Sequence, residues 1–300
     1  MRAPVQLYVG EALRKYGFPD EHPLSIDRQG AFWDAARDRG LDRRAAVIEP
    51  TIAAREAIMQ FHDEGHVDWV RAKNAGGGLL DGGDTPAFPG VYDAGAAVVG
   101  TALAALDAVM SGQTLRTFQP IGGLHHARRN SSAGFCVFND LGVVIEALRA
   151  KHRVTRIGYV DIDVHHGDGV QYSYDDDPEL IFADIHQNGR TLYPGTGHTH
   201  EIGKGEAEGT KLNLPLLPGA GDREFFEAWE RAEDQIDRFA PEIILFQCGA
   251  DGLAGDPLAG LRYTRAAHAH ATKRLCVIAE RHCKGRLMAF GGGGYDLGNL

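Results

Sequence analysis

The stretch RIGYVDIDVHHGDGVQ, Arg156 to Gln171, constrains this chain more than any other. An apolar run that reads as a buried strand leads directly into three aspartates and two adjacent histidines. A carboxylate taken out of water costs on the order of several kcal/mol unless a cation or hydrogen-bond donor compensates. A core strand that ends this way therefore needs a partner, and a divalent metal is the simplest one. Side chains alternate along a strand, so Asp161, Asp163 and His165 face one way while Ile162 and Val164 face the other. Carboxylate oxygen combined with imidazole nitrogen suits zinc ahead of manganese or iron(II). A solvated charged loop is the plain alternative, and the closeness of the apolar strand speaks against it.

The 300 residues, 43% of them hydrophobic, suffice for the core of an α/β domain, and one domain over residues 1–300 is the expected organisation. A formal charge of -10 argues against a nucleic-acid groove and permits basic partners such as lysine-rich peptides or polyamines to be steered inward. Cys136, Cys248, Cys276 and Cys283 form no C-x-x-C pair, which fits reduced thiols in a cytoplasm. The N-terminal MRAPVQLYVGEALRKYGF lacks the apolar block of a secretory signal, and no uninterrupted apolar run approaches a membrane span, so a soluble cytoplasmic protein with no membrane partner is expected.

Apolar spacing predicts a strand over Val5–Val9 and helices over Asp27–Arg39 and Ile48–Asp63. The glycine- and proline-rich segment Asn74–Gly90 reads as a long loop of the functional kind. A buried helix is expected over Ala94–Met110. Strands over Thr117–Ile121 and Ile157–Asp161, with a helix over Leu141–Arg149 between them, make a βαβ unit and a parallel sheet. Further strands are expected over Leu180–His186, Ile243–Cys248 and Leu287–Phe290, with an amphipathic helix over Arg223–Phe239. These strands lead into His125, Asp163, His186, Asp251 and Tyr295, and ligands bind outside the carboxyl ends of parallel strands. The terminal GGGGYDLG has glycines at dinucleotide-like spacing but no helix or acidic ribose contact after it. Neither GxxxxGK[ST] nor GxSxG occurs.

Four separated segments belong together: GGLHHARRNSSAGFCVFND, YVDIDVHHGDGVQ, QCGADGLAGDPLAG and GGGGYD. On these motifs the chain resembles the zinc-dependent deacylases of the histone deacetylase family, a group that includes acetylpolyamine amidohydrolases and acetoin-utilisation proteins. The resemblance runs from His22 to the end. It implies an α/β architecture, the arginase/deacetylase fold, with a central parallel sheet of about eight strands flanked by helices. It also implies zinc (Zn2+) held by Asp163, His165 and Asp251, with His126 as general base and His125 as electrostatic support. Asp161 would orient His125 and Asp168 would orient His126. Tyr295 is implied as the donor to the substrate carbonyl oxygen. Phe135 and Tyr193 would wall a narrow acyl channel, the Gly134 carbonyl would meet the scissile N–H, and Asp84 would hold the substrate backbone. The glycines beside Tyr295 are expected to let the backbone bend tightly near the metal.

Leu258 stands where polyamine-specialised relatives carry a glutamate gate. A structural potassium ion (K+) is implied near Asp184 and the backbone around Asp161. The implied substrate is an acetylated lysine peptide or an acetylated small amine, and the loop 74–90 is placed to contact a neighbouring subunit in a homo-oligomer. Arginase-type relatives need further aspartates at positions occupied here by Gly167 and Leu253, which disfavours a two-manganese ureohydrolase. A pseudoenzyme that binds acylated amines is the non-enzymatic rival, opposed by His125, His126 and Tyr295. Five residues follow Tyr295, where relatives continue with at least one more helix, so either the sequence is a shortened one or part of the shell behind that tyrosine is missing.

Overall fold

The computed structural model describes residues 5–19 and 22–300; residues 1–4 of the N-terminal stretch considered above lie outside that range. The chain divides into two compact units, Met1–Arg153 (with Leu300) and Val154–Asn299.

In the first unit, β1 (Val5–Tyr8) is followed by α1 (Glu11–Arg14), α2 (Arg28–Asp38), β2 (Ala45–Ile48), α3 (Arg55–Ile58), α4 (Glu64–Ala72), α5 (Val91–Met110), β3 (Arg116–Gln119) and α6 (Asp140–Ala150). β1 pairs in parallel with β2 on one side and β3 on the other. The long helix expected over Ile48–Asp63 does not form. Pro50 interrupts it, and the segment that follows is hydrogen-bonded to α5 instead: the Thr51 side chain donates through Oγ1 to the Gly100 carbonyl at 2.8 Å and the Ala53 N–H to that of Ala96 at 2.9 Å. Gly100 permits this approach, because a Cβ there would meet the backbone of Thr51, Ile52 and Ala53.

α5 also corrects the expectation that no segment approaches a membrane span. At 20 residues it is long and apolar enough, and 72% of its most apolar window is buried within the protein, as a core helix requires.

The second unit runs β4 (Ile157–Asp161), α7 (Asp168–Ser173), β5 (Leu180–Gln187), β6 (Lys211–Leu216), α8 (Asp222–Phe239), β7 (Ile243–Gln247), α9 (Arg265–His282) and β8 (Leu287–Phe290). All neighbouring strands are parallel, in the order β8-β7-β4-β5-β6. β4 and β5 are fully buried, so they read as continuous apolar runs. From β4 the chain winds outward through β5 and β6, then returns to lay β7 and β8 on the opposite side. The order thus reverses between β4 and β7, the place where open α/β sheets bind ligands. Among the described residues there are eight strands, three in the first unit and five in the second.

Candidate active site

The end of β4 and the end of β7 meet at that reversal. Asp163 and His165 follow β4, Asp251 follows β7, and all three are buried. Their donor atoms lie within 4.8 Å of one another. His165 Nδ1 is 3.0 Å from Asp163 Oδ1 and 3.2 Å from Asp251 Oδ2, so two carboxylates converge on one imidazole nitrogen.

The rest of each carboxylate is occupied by donors that fix its direction. Asp163 Oδ2 accepts from Gln247 Nε2 at 2.8 Å and from the Gly293 N–H at 2.7 Å, while Oδ1 accepts from the His165 N–H. Asp251 Oδ1 accepts from the Val164 N–H at 2.9 Å. Burial, and then the charge of Asp163, push the Asp251 carboxyl well above the usual carboxylate range. Burial disfavours charge on His165, but hydrogen bonds to Asp163 and Asp251 outweigh it and raise the imidazole to about 10. Two buried carboxylates pulling one positive charge between them are a donor set that suits a divalent cation.

The glycines support this fit. A Cβ at Gly293 would collide with Asp251 Oδ2, and one at Gly249 with Asp163 Oδ2. Bare backbone is thus what allows both acids to close on a common point. Gly292, at φ +61°, turns the chain beside Gln247, where a Cβ would also clash.

Around this cluster, the ring of Tyr295 lies 6.3 Å from that of His165, and the ring of Tyr193, 43% exposed, lies 6.4 Å from it on centroids. Asp256, inside the segment QCGADGLAGDPLAG but given no role there, accepts from the backbone N–H of Tyr295 at 2.8 Å and of Leu258 at 2.9 Å, and so fixes one candidate catalytic and one candidate substrate-binding residue with one carboxylate. Asp161 takes the Tyr159 hydroxyl at 2.6 Å and the Asp163 N–H at 3.0 Å. Asp168 is buried at the first turn of α7. His186 is not with the triad: its ring is held between Asp184 Oδ1 at 2.7 Å and the Gly197 carbonyl at 2.9 Å.

The first unit carries the histidine pair. His125 and His126 are buried in the loop after β3 with their Nε2 atoms 3.1 Å apart, within hydrogen-bond distance of each other. The start of α6 holds both flanks of this loop. Asp140, fully buried, accepts from the N–H groups of Gly123 at 2.9 Å and Leu124 at 2.8 Å. Asn139 caps the helix through Gly142 and donates to the Ala127 carbonyl at 2.8 Å. Burial raises Asp140 to about 6 against the pull of its backbone donors.

Asn139 is itself anchored, its N–H donating to His62 Nε2 at 2.8 Å. His62 Nδ1 faces the Arg129 carbonyl at 3.3 Å, which assigns the proton to Nδ1. Burial, with the neighbouring His66 adding to it, lowers His62 to about 3. Asp140 closes the segment GGLHHARRNSSAGFCVFND, but its role is not visible there because its partners are backbone groups; His62 lies outside every quoted segment.

Gly134 and Phe135 occupy a tight turn closed by the Cys136 N–H on the Ala133 carbonyl at 2.8 Å. Both have positive φ, +52° and +67°. An aromatic residue in that region carries strain of about 1–2 kcal/mol. Asp84 is exposed at the tip of the 74–90 loop, and partial desolvation followed by the charge of Asp81 raises its carboxyl.

The Histone deacetylase domain family matches residues 22–300. The chain belongs to the histone deacetylase family. It is 35% identical over 306 residues to the acetoin utilization protein AcuC of Bacillus subtilis, covering 99% of this chain and 79% of that protein. It is 34% identical to a probable deacetylase of Archaeoglobus fulgidus, covering 92% and 77%. The crystal structure of the HDA15 HD domain superposes with a TM-score of 0.89 at 24% identity, covering 98% of this chain and 84% of that one, which establishes the expected deacetylase fold. Within this family, the triad Asp163, His165 and Asp251 is the group that could hold a metal ion among the described residues.

Proposed function

We propose that this protein is a zinc-dependent amidohydrolase that removes a short acyl group, acetyl above all, from a lysine side chain or a small amine. The observation that carries the reading is the convergence of two buried carboxylates on His165 Nδ1 in a glycine cradle. Asp163, His165 and Asp251 would hold one Zn2+ per chain, and that ion supplies polarisation of the amide carbonyl and acidification of a water. Gly167 and Leu253 stand where a second metal would need carboxylates, so a single ion is proposed.

The chain's own groups then divide the work. His126 accepts the proton of the attacking water and returns it to the amine nitrogen as the C–N bond breaks; His125, whose ring contacts that of His126, supports the charge. Asp161 and Asp168 are proposed to orient the two rings. The Tyr295 hydroxyl donates to the carbonyl oxygen as it gains charge, a contribution worth about 100-fold or more. Gly134 takes the scissile N–H, Phe135 and Tyr193 enclose the acyl-bearing chain, and Asp84 and Leu258 form the rim. The products are a carboxylate and a free amine.

We further propose that the two units work as one deacetylase domain, that K+ binds near Asp184, and that the protein acts in the cytoplasm, its four cysteines forming no disulfide. Homo-oligomerisation through the 74–90 loop is part of the same proposal, with neither nucleic acid nor membrane as partner. The test is turnover by zinc-loaded and chelated protein of an acetyl-lysine peptide, N-acetylputrescine and N-acetylspermidine. Zinc-dependent release of acetate from at least one is expected. No turnover of these or of trifluoroacetyl-lysine would favour a binding role.

A further inference from the structure

The 74–90 loop is tied to the strained turn. Its backbone closes on itself through the Leu80 N–H to the Thr85 carbonyl at 2.8 Å and the Ala87 N–H to the Gly78 carbonyl at 2.9 Å. At its tip, Asp81 Oδ1 accepts from the N–H groups of Gly83 and Thr85, and Oδ2 accepts from the Thr85 hydroxyl at 2.6 Å. The Thr85 side chain is fully buried, and its oxygen accepts the Phe135 N–H at 3.1 Å. A carboxylate on the far side strengthens the hydroxyl as a donor and polarises its oxygen as an acceptor, so Asp81, Thr85 and Phe135 form one directed chain of hydrogen bonds.

The other side of Phe135 is held as well. Its carbonyl accepts from the Tyr16 hydroxyl at 2.8 Å, and the Tyr16 oxygen accepts from the Val137 N–H at 3.0 Å. His22 completes the clamp. The Leu24 N–H donates to His22 Nδ1, so Nε2 bears the proton and points to the Asp84 carbonyl at 3.3 Å, while the imidazole ring packs edge-on against Phe135 at 4.5 Å. A bulky residue at φ +67° persists only where its surroundings over-determine it, and these contacts do so. They also place the clamp one residue from Asp84.

We propose that Asp81 and Thr85 are positioning residues for the acyl channel, locking Phe135 in register with the rim aspartate and thereby setting which acyl chain fits. The proposal rests on the deacylase reading above, in which Phe135 is a channel wall. Thr85→Val keeps the volume and removes both hydrogen bonds; Thr85→Ser restores them; Asp81→Asn keeps an acceptor but removes the charge. With acetyl-, propionyl- and butyryl-lysine peptides, Thr85→Val should raise the acetyl KM about tenfold with kcat within about threefold, the scale of one lost hydrogen bond. The acetyl-over-butyryl preference should fall about tenfold, with Thr85→Ser close to wild type and Asp81→Asn between. Hydrogen exchange at the Phe135 amide should accelerate in the same order, a readout that needs no turnover. An active wild type whose Thr85→Val and Asp81→Asn variants keep its acyl preference overturns the tether. A wild type that cleaves none of the peptides overturns the deacylase reading instead, and the specificity claim with it.

Discussion

The two units prepare their functional groups in opposite ways. In the second, the acids come close because side chains are missing around them: Gly249 and Gly293 leave room that a methyl group would fill. In the first, the histidine pair and Phe135 are held by added groups, with Asp140, Asn139, Thr85 and Tyr16 each committing a polar side chain to a backbone N–H or carbonyl. The contrast has a physical reason. Like charges must be brought together around a cation, so the closeness of the backbone is limiting there; a proton-handling ring needs direction, so hydrogen bonds are limiting instead.

The contrast is sharpest at Gly293. Gly293→Ala should lower kcat/KM by about 100- to 1,000-fold and abolish tight zinc binding, because its Cβ occupies the place of Asp251 Oδ2. Steady-state kinetics beside a zinc titration reads both, and near-normal zinc affinity would break the cradle argument.

Asp140→Asn should cost less, about 10- to 100-fold in kcat, with zinc content unchanged, since an amide oxygen can serve one of the two N–H donors but its NH2 cannot accept the other. A variant that lost zinc as well would mean that the two scaffolds are not separable.

A smaller effect is thermodynamic. His62 is neutral when folded, and its pKa is lowered from 6.5 to about 3. Between those values the unfolded chain binds the proton and the folded one does not. Stability is therefore complete above about pH 6.5 and lost as the pH falls toward 3, by about 1.4 kcal/mol per pH unit. Denaturant unfolding at pH 7 and pH 5 should show a shallower dependence for His62→Gln than for wild type, and equal slopes would contradict the assignment. His66 shifts in the same direction, also through burial, and adds to the wild-type slope.

The smallest effect is expected far from either scaffold. Arg274 pairs with Glu233 across α9 and α8, with Nε 2.9 Å from both carboxylate oxygens, yet the arginine side chain is 39% exposed. Arg274→Ala should cost no more than about 1 kcal/mol in unfolding free energy and leave kcat/KM unchanged.

What could be read in the sequence follows the same division. The apolar runs of β4, β5 and β7 are fully buried, and β4 and β7 lead into the acids Asp163 and Asp251, so the strands and the functional ends of those two stand out. β6 escaped notice because KLNLPL mixes polar residues and a proline into a strand at the edge of its unit's sheet. α9 escaped because its histidines and lysine blur the apolar periodicity. The helix expected around Thr51 failed because its backbone is hydrogen-bonded to α5, a tertiary partner with no local signature. Asp81, Asp140, Asp256 and His62 share that property: each serves backbone groups, so even Asp140 and Asp256, which lie inside quoted segments, have partners that no residue type marks.

The central claim is that Asp163, His165 and Asp251 together hold one metal ion. Elemental analysis of purified protein equilibrated with zinc and freed of excess tests it most directly, run on wild type, Asp251→Ala and Asp140→Asn. The account predicts one zinc per chain in wild type and in Asp140→Asn, and essentially none in Asp251→Ala. A wild type without zinc, or an Asp251→Ala variant that keeps it, would contradict the account.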